Sequence, residues 1–113
     1  MRIAFLAPAA AALAATLVAA GCGSTGSSTP VKTTAVSMAK SYRFDPKKID
    51  IKAGSTVTWT NNDNFTHTVK VDGQDDHKVD RGHSVSIRFD KPGTYDYVCT
   101  LHSHDMHGTV IVT

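Results

Sequence analysis

From residue 35 onward, apolar and polar positions alternate in short runs. Such runs occur at Ala35–Met38, Lys48–Lys52, Thr56–Thr60, His67–Val71, Ser84–Phe89, Thr94–Cys99 and Thr109–Val112. A period of two, rich in β-branched residues, predicts strands with one buried face. Turn formers punctuate them at Ala53-Gly54-Ser55, Asn61 to Asn64 and Val71-Asp72-Gly73, and Lys91-Pro92-Gly93-Thr94 fits a type II turn. The mixed polar stretch from Gln74 to His83, with His77 and His83, reads as a solvated loop. No segment has a helical period. Short strands at this spacing predict an all-β fold, a β-sandwich or small barrel of about seven to eight strands.

Phase along the strands sorts the side chains. Val57 and Trp59 share a face, as do Val85, Ile87 and Phe89. His67 is in phase with Val69 and Val71, and Cys99 with Tyr95 and Tyr97. An imidazole and a thiol thus point into the core at strand ends, where a polar group needs a partner. Metal binding supplies one.

The first part of the chain has a different pattern. Met1-Arg2 carries one positive charge, Ile3 to Ala20 is nearly all apolar, and Ala19-Ala20-Gly21 precedes Cys22. This is the pattern of an export signal over residues 1–21, and the small residues before Cys22 favour cleavage over a retained membrane helix. Ala-Ala-Gly-Cys also resembles the lipobox of bacterial lipoproteins, which implies lipidation of Cys22 and a firm membrane anchor. Residues 22–32, rich in glycine, serine and threonine, form a flexible tether, with a reach of roughly 17–19 Å for about ten residues. The folded domain is expected over 33–113, about 80 residues and one small core. The expected location is the outer face of the cytoplasmic membrane or the periplasm.

Charge narrows the partners. The chain holds 12 basic and 10 acidic residues, and cleavage removes only Arg2 from that balance. Without a basic cluster interleaved with aromatics, nucleic acid is excluded as a partner. Cys22 and Cys99 are the only cysteines. With Cys22 lipidated, Cys99 has no disulfide partner, and a lone thiol in an oxidising compartment survives when buried or bound to metal.

Cys99-Thr100-Leu101-His102-Ser103-His104-Asp105-Met106-His107-Gly108 is the densest run of soft and nitrogen donors in the chain. Cys-x-x-His lets a thiolate and an imidazole reach one ion from a tight turn, and Met106 follows close behind. Two imidazoles, one thiolate and a weak axial thioether make a blue-copper site, and His67 supplies the second imidazole from a distant strand. The expected metal set is therefore His67, Cys99, His102 and Met106, around one copper ion that alternates between Cu(II) and Cu(I).

Three motifs give this sequence a family likeness. The first is Tyr42-Arg43-Phe44-Asp45-Pro46 followed by Ile49 to Gly54 and Thr56 to Asn61. The second is Asn62-Asp63 leading to His67-Thr68-Val69. The third is Gly93-Thr94-Tyr95-Asp96-Tyr97-Val98-Cys99-Thr100-x-His102 with Met106-x-Gly108-x-Val110-x-Val112. Together they resemble the small cupredoxins of the amicyanin and plastocyanin type. The resemblance implies a Greek-key β-sandwich with one copper at one end, the same four ligands, and a one-electron carrier rather than an enzyme. It also implies docking of redox partner proteins at the His102 end, ringed by Leu101, Phe65 and Pro46. A monomer is expected.

Two departures stand out. The His102-x3-Met106 loop is longer than amicyanin-like loops and shorter than plastocyanin-like ones, and Leu101 stands where many relatives have proline. The axial position therefore lies between Met106 and His104. His104 and His107 also motivate an alternative function, copper delivery or sequestration. A Cys99–His102 nucleophilic pair would need an acyl cleft and oxyanion donors, and nothing in the chain points to either.

Overall fold

A computed structural model describes residues 29–113. The expected export signal, Cys22 and most of the expected tether lie outside the described residues. Ten strands follow in order: β1 Val31–Lys32, β2 Ala35–Ala39, β3 Arg43–Asp45, β4 Lys48–Ile51, β5 Ser55–Asn61, β6 His67–Val71, β7 Asp76–Val79, β8 Ser84–Phe89, β9 Gly93–Val98 and β10 His107–Val112. One sheet has the order β1-β4-β10-β9-β6-β7 and the other β3-β2-β5-β8. Non-sequential neighbours such as β4 beside β10 are the crossovers of a Greek-key sandwich.

The seven predicted runs all form strands. Three more were not read from the pattern, because they are too short or too polar to alternate visibly. β7 is the clearest correction. Gln74 to His83 is not all loop: Asp76–Val79 pairs antiparallel with β6, His67 opposite Val79 and Val69 opposite His77. Only Val79 of this strand is buried, so an edge strand with one apolar residue passes for solvated chain. β3 hides Phe44 between exposed Arg43 and Asp45. β1 pairs Val31 and Lys32 with Ile49 and Asp50.

The core lies between the two sheets. Met38, Val57 and Trp59 from one face Ile49, Val69, Val71, Tyr97 and Val110 from the other, all at 2 % exposure or less. Aromatic rings tie the layers at the centre. Tyr97 meets Phe44 edge-on at 4.7 Å and Trp59 at 5.2 Å. Gly108 makes room for this cluster, since a Cβ there would fall 2.2 Å from the Tyr97 ring. The Val71–Gln74 turn closes through Gln74 N–H donating to Val71 O, with Gly73 at φ +79°.

Candidate metal centre

The site grows from the ends of β6 and β9 and the loop after β9. β6 and β9 run antiparallel with Lys70 opposite Val98. Two residues on, that register sets Thr68 opposite Thr100 and brings His67 to the loop that carries His102. The loop folds on itself. Residues Thr100–His102 form a 3-10 turn. His102 N–H donates to Cys99 O, Met106 N–H donates to His102 O, and Cys99 N–H donates to Met106 O. These backbone bonds lock Cys99, His102 and Met106 into one compact turn.

The donors converge. Cys99 Sγ lies 3.8 Å from His67 Nδ1 and 3.6 Å from His102 Nδ1. One donor atom from each of His67, Cys99 and His102 falls within 4.8 Å of the others. Bonds of about 2.3 Å to sulfur and about 2.0 Å to nitrogen, set about 120° apart, place sulfur and nitrogen about 3.7 Å apart. The two observed separations bracket that value, so the set fits a trigonal S,N,N site. His67, Cys99 and Met106 are fully buried, while His102 is partly exposed. Among the described residues no second group of three His, Cys, Asp or Glu donors converges. His104 and His107 are exposed and stand outside the cluster.

A polar frame surrounds the donors. Asp63, 5 % exposed, places Oδ2 2.8 Å from His67 Nε2. A carboxylate accepts only, so Nε2 carries a proton, and Nδ1 is the ring nitrogen turned towards Cys99. Burial pushes the Asp63 carboxyl up, but hydrogen bonds from His67 and the Asn64 N–H, with the charges of His67 and Lys40, outweigh it and hold the group below its ordinary value. Thr68 N–H donates to Cys99 Sγ at 3.3 Å. Thr100 N–H donates to Thr68 Oγ1, the two threonine hydroxyls bond each other, and Thr100 Oγ1 donates to Asp76 Oδ2. The sulfur's donor is thus held in line from the edge strand.

At the surface, His102 sits under aromatic cover. Tyr42 lies 4.4 Å from the His102 ring and stacks on Phe65 at 5.8 Å. Phe65 and Leu101 are 55 % and 56 % exposed, while Pro46, the third residue expected at this rim, is half-buried.

The sequence profile of the cupredoxin-like domain matches residues 9–112. The chain belongs to the cupredoxin-like family. This cupredoxin is 37 % identical to amicyanin-alpha of Methylorubrum extorquens over 97 % of both chains. It is 37 % identical to the plastocyanin of Scenedesmus fuscus, across 61 % of this chain and 85 % of that one. A solved Met-to-Gln variant of amicyanin in its Cu(I) form superposes with a TM-score of 0.61 at 32 % identity, covering 70 % of this chain and 80 % of that one. The purple cupredoxin of Nitrosopumilus maritimus has the same fold, with a TM-score of 0.65 at 22 % identity over 72 % of this chain and all of that one. In this cupredoxin the His67–Cys99–His102 cluster, with Met106 in the same loop, is suited to one type 1 copper ion.

Sequence reasoning placed the donors but missed their frame. Asp63 and Tyr42 stood inside quoted motifs without a role. Asp76 lies in the stretch expected to be loop, and its partnership with Thr100 depends on β7, which the pattern hides.

Proposed function

We propose that this protein is an exported one-electron carrier whose copper is held by His67, Cys99 and His102, with Met106 as the axial donor. The observation that carries it is the convergence of one cysteine sulfur and two imidazole nitrogens, on residues of which two are buried, at the end of the sandwich. Copper, when bound, supplies a reversible Cu(II)/Cu(I) couple. The chain's own residues do the rest. Cys99 and His67 keep their donor atoms away from water. Thr68 N–H supports the thiolate, and Asp63 fixes the His67 tautomer. His102 is the ligand that reaches the surface, so redox partners dock there, against Tyr42, Phe65 and Leu101. Met106 is buried and its backbone is bonded to Cys99 and His102, whereas His104 is exposed, which supports the thioether as the axial group. The protein acts as a monomer, cleaved before Cys22 and held by lipid outside the cytoplasmic membrane.

The test is spectroscopic and electrochemical. One equivalent of Cu(II) should produce an intense band near the red end of the visible spectrum, from thiolate-to-copper charge transfer, with a reversible one-electron voltammogram. Cys99→Ser should abolish the band. Retention of the band in that variant would overturn the thiolate assignment. Rapid loss of Cu(I) to a chelator would favour copper delivery instead.

A further inference from the structure

Both oxygens of the Asp63 carboxylate are committed. Asn64 N–H donates to Oδ1 at 2.7 Å, and Oδ2 faces His67 Nε2 at 2.8 Å. Asp63 N–H in turn donates to Asn61 Oδ1 at 2.9 Å. Asn61 is itself anchored through Nδ2 to Phe65 O and Val79 O. The carboxylate is therefore set by the loop, not by a metal. A neutral carbonyl would fix the imidazole equally well. A buried carboxylate also sets negative charge at the far side of the ring and makes Nδ1 a stronger donor.

We propose that Asp63 is a positioning residue for the copper site: it accepts the His67 Nε2–H, presents Nδ1 to the metal, and lowers the reduction potential by favouring Cu(II) over Cu(I). The proposal rests on the copper reading above. Negative charge and a more basic imidazole both stabilise the more positive ion more strongly. Outer partners of ligating histidines change metal affinity by about 10–100-fold. The lower end of that range, taken as the change in the Cu(II)-to-Cu(I) affinity ratio, corresponds to about 59 mV for one electron.

The experiment uses the mature chain and its Asp63→Asn and Asp63→Ala variants. Voltammetry should show a potential raised by about 59 mV or more in Asp63→Asn, which removes the charge at constant shape. Nitrogen-15 NMR of the metal-free wild-type protein should show the His67 ring protonated at Nε2, and Asp63→Ala should lose that preference. A potential unchanged in Asp63→Asn would overturn the proposal. So would a metal-free wild-type ring protonated chiefly at Nδ1, a result that needs no variant to fold. A wild-type protein with no red-end band in Cu(II) would instead sink the copper reading.

Discussion

Asn61 joins the fold to the site, and replacing it tests that link. It is 1 % exposed at the end of β5. Its Nδ2 donates to Phe65 O at 2.7 Å and to Val79 O at 2.9 Å, and its Oδ1 accepts Asp63 N–H at 2.9 Å. One side chain thus ties the β5–β6 loop to itself and to the edge strand β7. Asn61→Ala deletes all three bonds. At a net of about 1 kcal/mol each the loss is about 3 kcal/mol, and Val79 O, facing a buried gap, adds to it. That is a large part of a total stability of about 5–15 kcal/mol. At about 4–8 °C per kcal/mol for a domain of this size, the melting temperature should fall by about 12–24 °C. Asn61→Asp is the sharper comparison. It keeps the acceptor for Asp63 N–H but sets a carboxylate against two carbonyl oxygens, so at neutral pH it should cost more than alanine. Urea and thermal unfolding of the metal-free protein measure both. A cost below about 1 kcal/mol for Asn61→Ala would refute the view that this side chain holds the loop.

Three further outcomes are expected. Gly108→Ala should destabilise by at least about 1–3 kcal/mol, because the new Cβ meets the Tyr97 ring at 2.2 Å in a central strand; the cost should shrink in a Tyr97→Leu background, measured by a double-mutant cycle. Met106→Leu should keep the red-end band and raise the potential, since Cu(II) loses more than Cu(I) when a donor is removed, while His104→Ala should change neither; voltammetry giving the reverse pattern would make His104 the axial ligand. Mass spectrometry of the native N-terminus should find a chain starting at a lipid-modified Cys22, and an unmodified Cys22 would leave export without an anchor.

What was legible in the sequence follows from what each interaction imprints on residue type. Alternation reveals strands that bury one face, so β5, β6, β8, β9 and β10 could be read directly. β7 and β3 each bury one apolar side chain, and one residue makes no period. Donor chemistry was legible because thiolate, imidazole and thioether are rare neighbours. The frame around the donors was not, because threonine, aspartate and asparagine are ordinary turn and strand residues. Thr68 and Thr100 matter through the β6–β9 register, and Asp76 only because β7 brings it to Thr100. Tyr42 was hidden for another reason. It and Ser41 adopt positive φ values of +54° and +71°, a conformation that only the folded backbone reveals.

That strained pair bears on how the site serves electron transfer. Fast one-electron exchange requires donors that move little when the metal's charge changes. His67 is pinned by Asp63, Cys99 by Thr68 N–H, and Met106 by backbone bonds to Cys99 and His102. His102 has the backbone of the turn, but its partly exposed ring has no such buried anchor. Left-handed backbone at two consecutive non-glycine residues costs about 1–3 kcal/mol each, and the chain accepts that cost where it turns the Tyr42 ring onto His102 at 4.4 Å and onto Phe65 at 5.8 Å. The aromatic cover therefore does for the surface imidazole what hydrogen bonds do for the buried donors. It restrains the ring and sheds water from it, while Phe65 and Leu101 stay exposed beside it. Rigidity at this end comes from the packing of Tyr42 on His102 and Phe65 rather than from polar anchors.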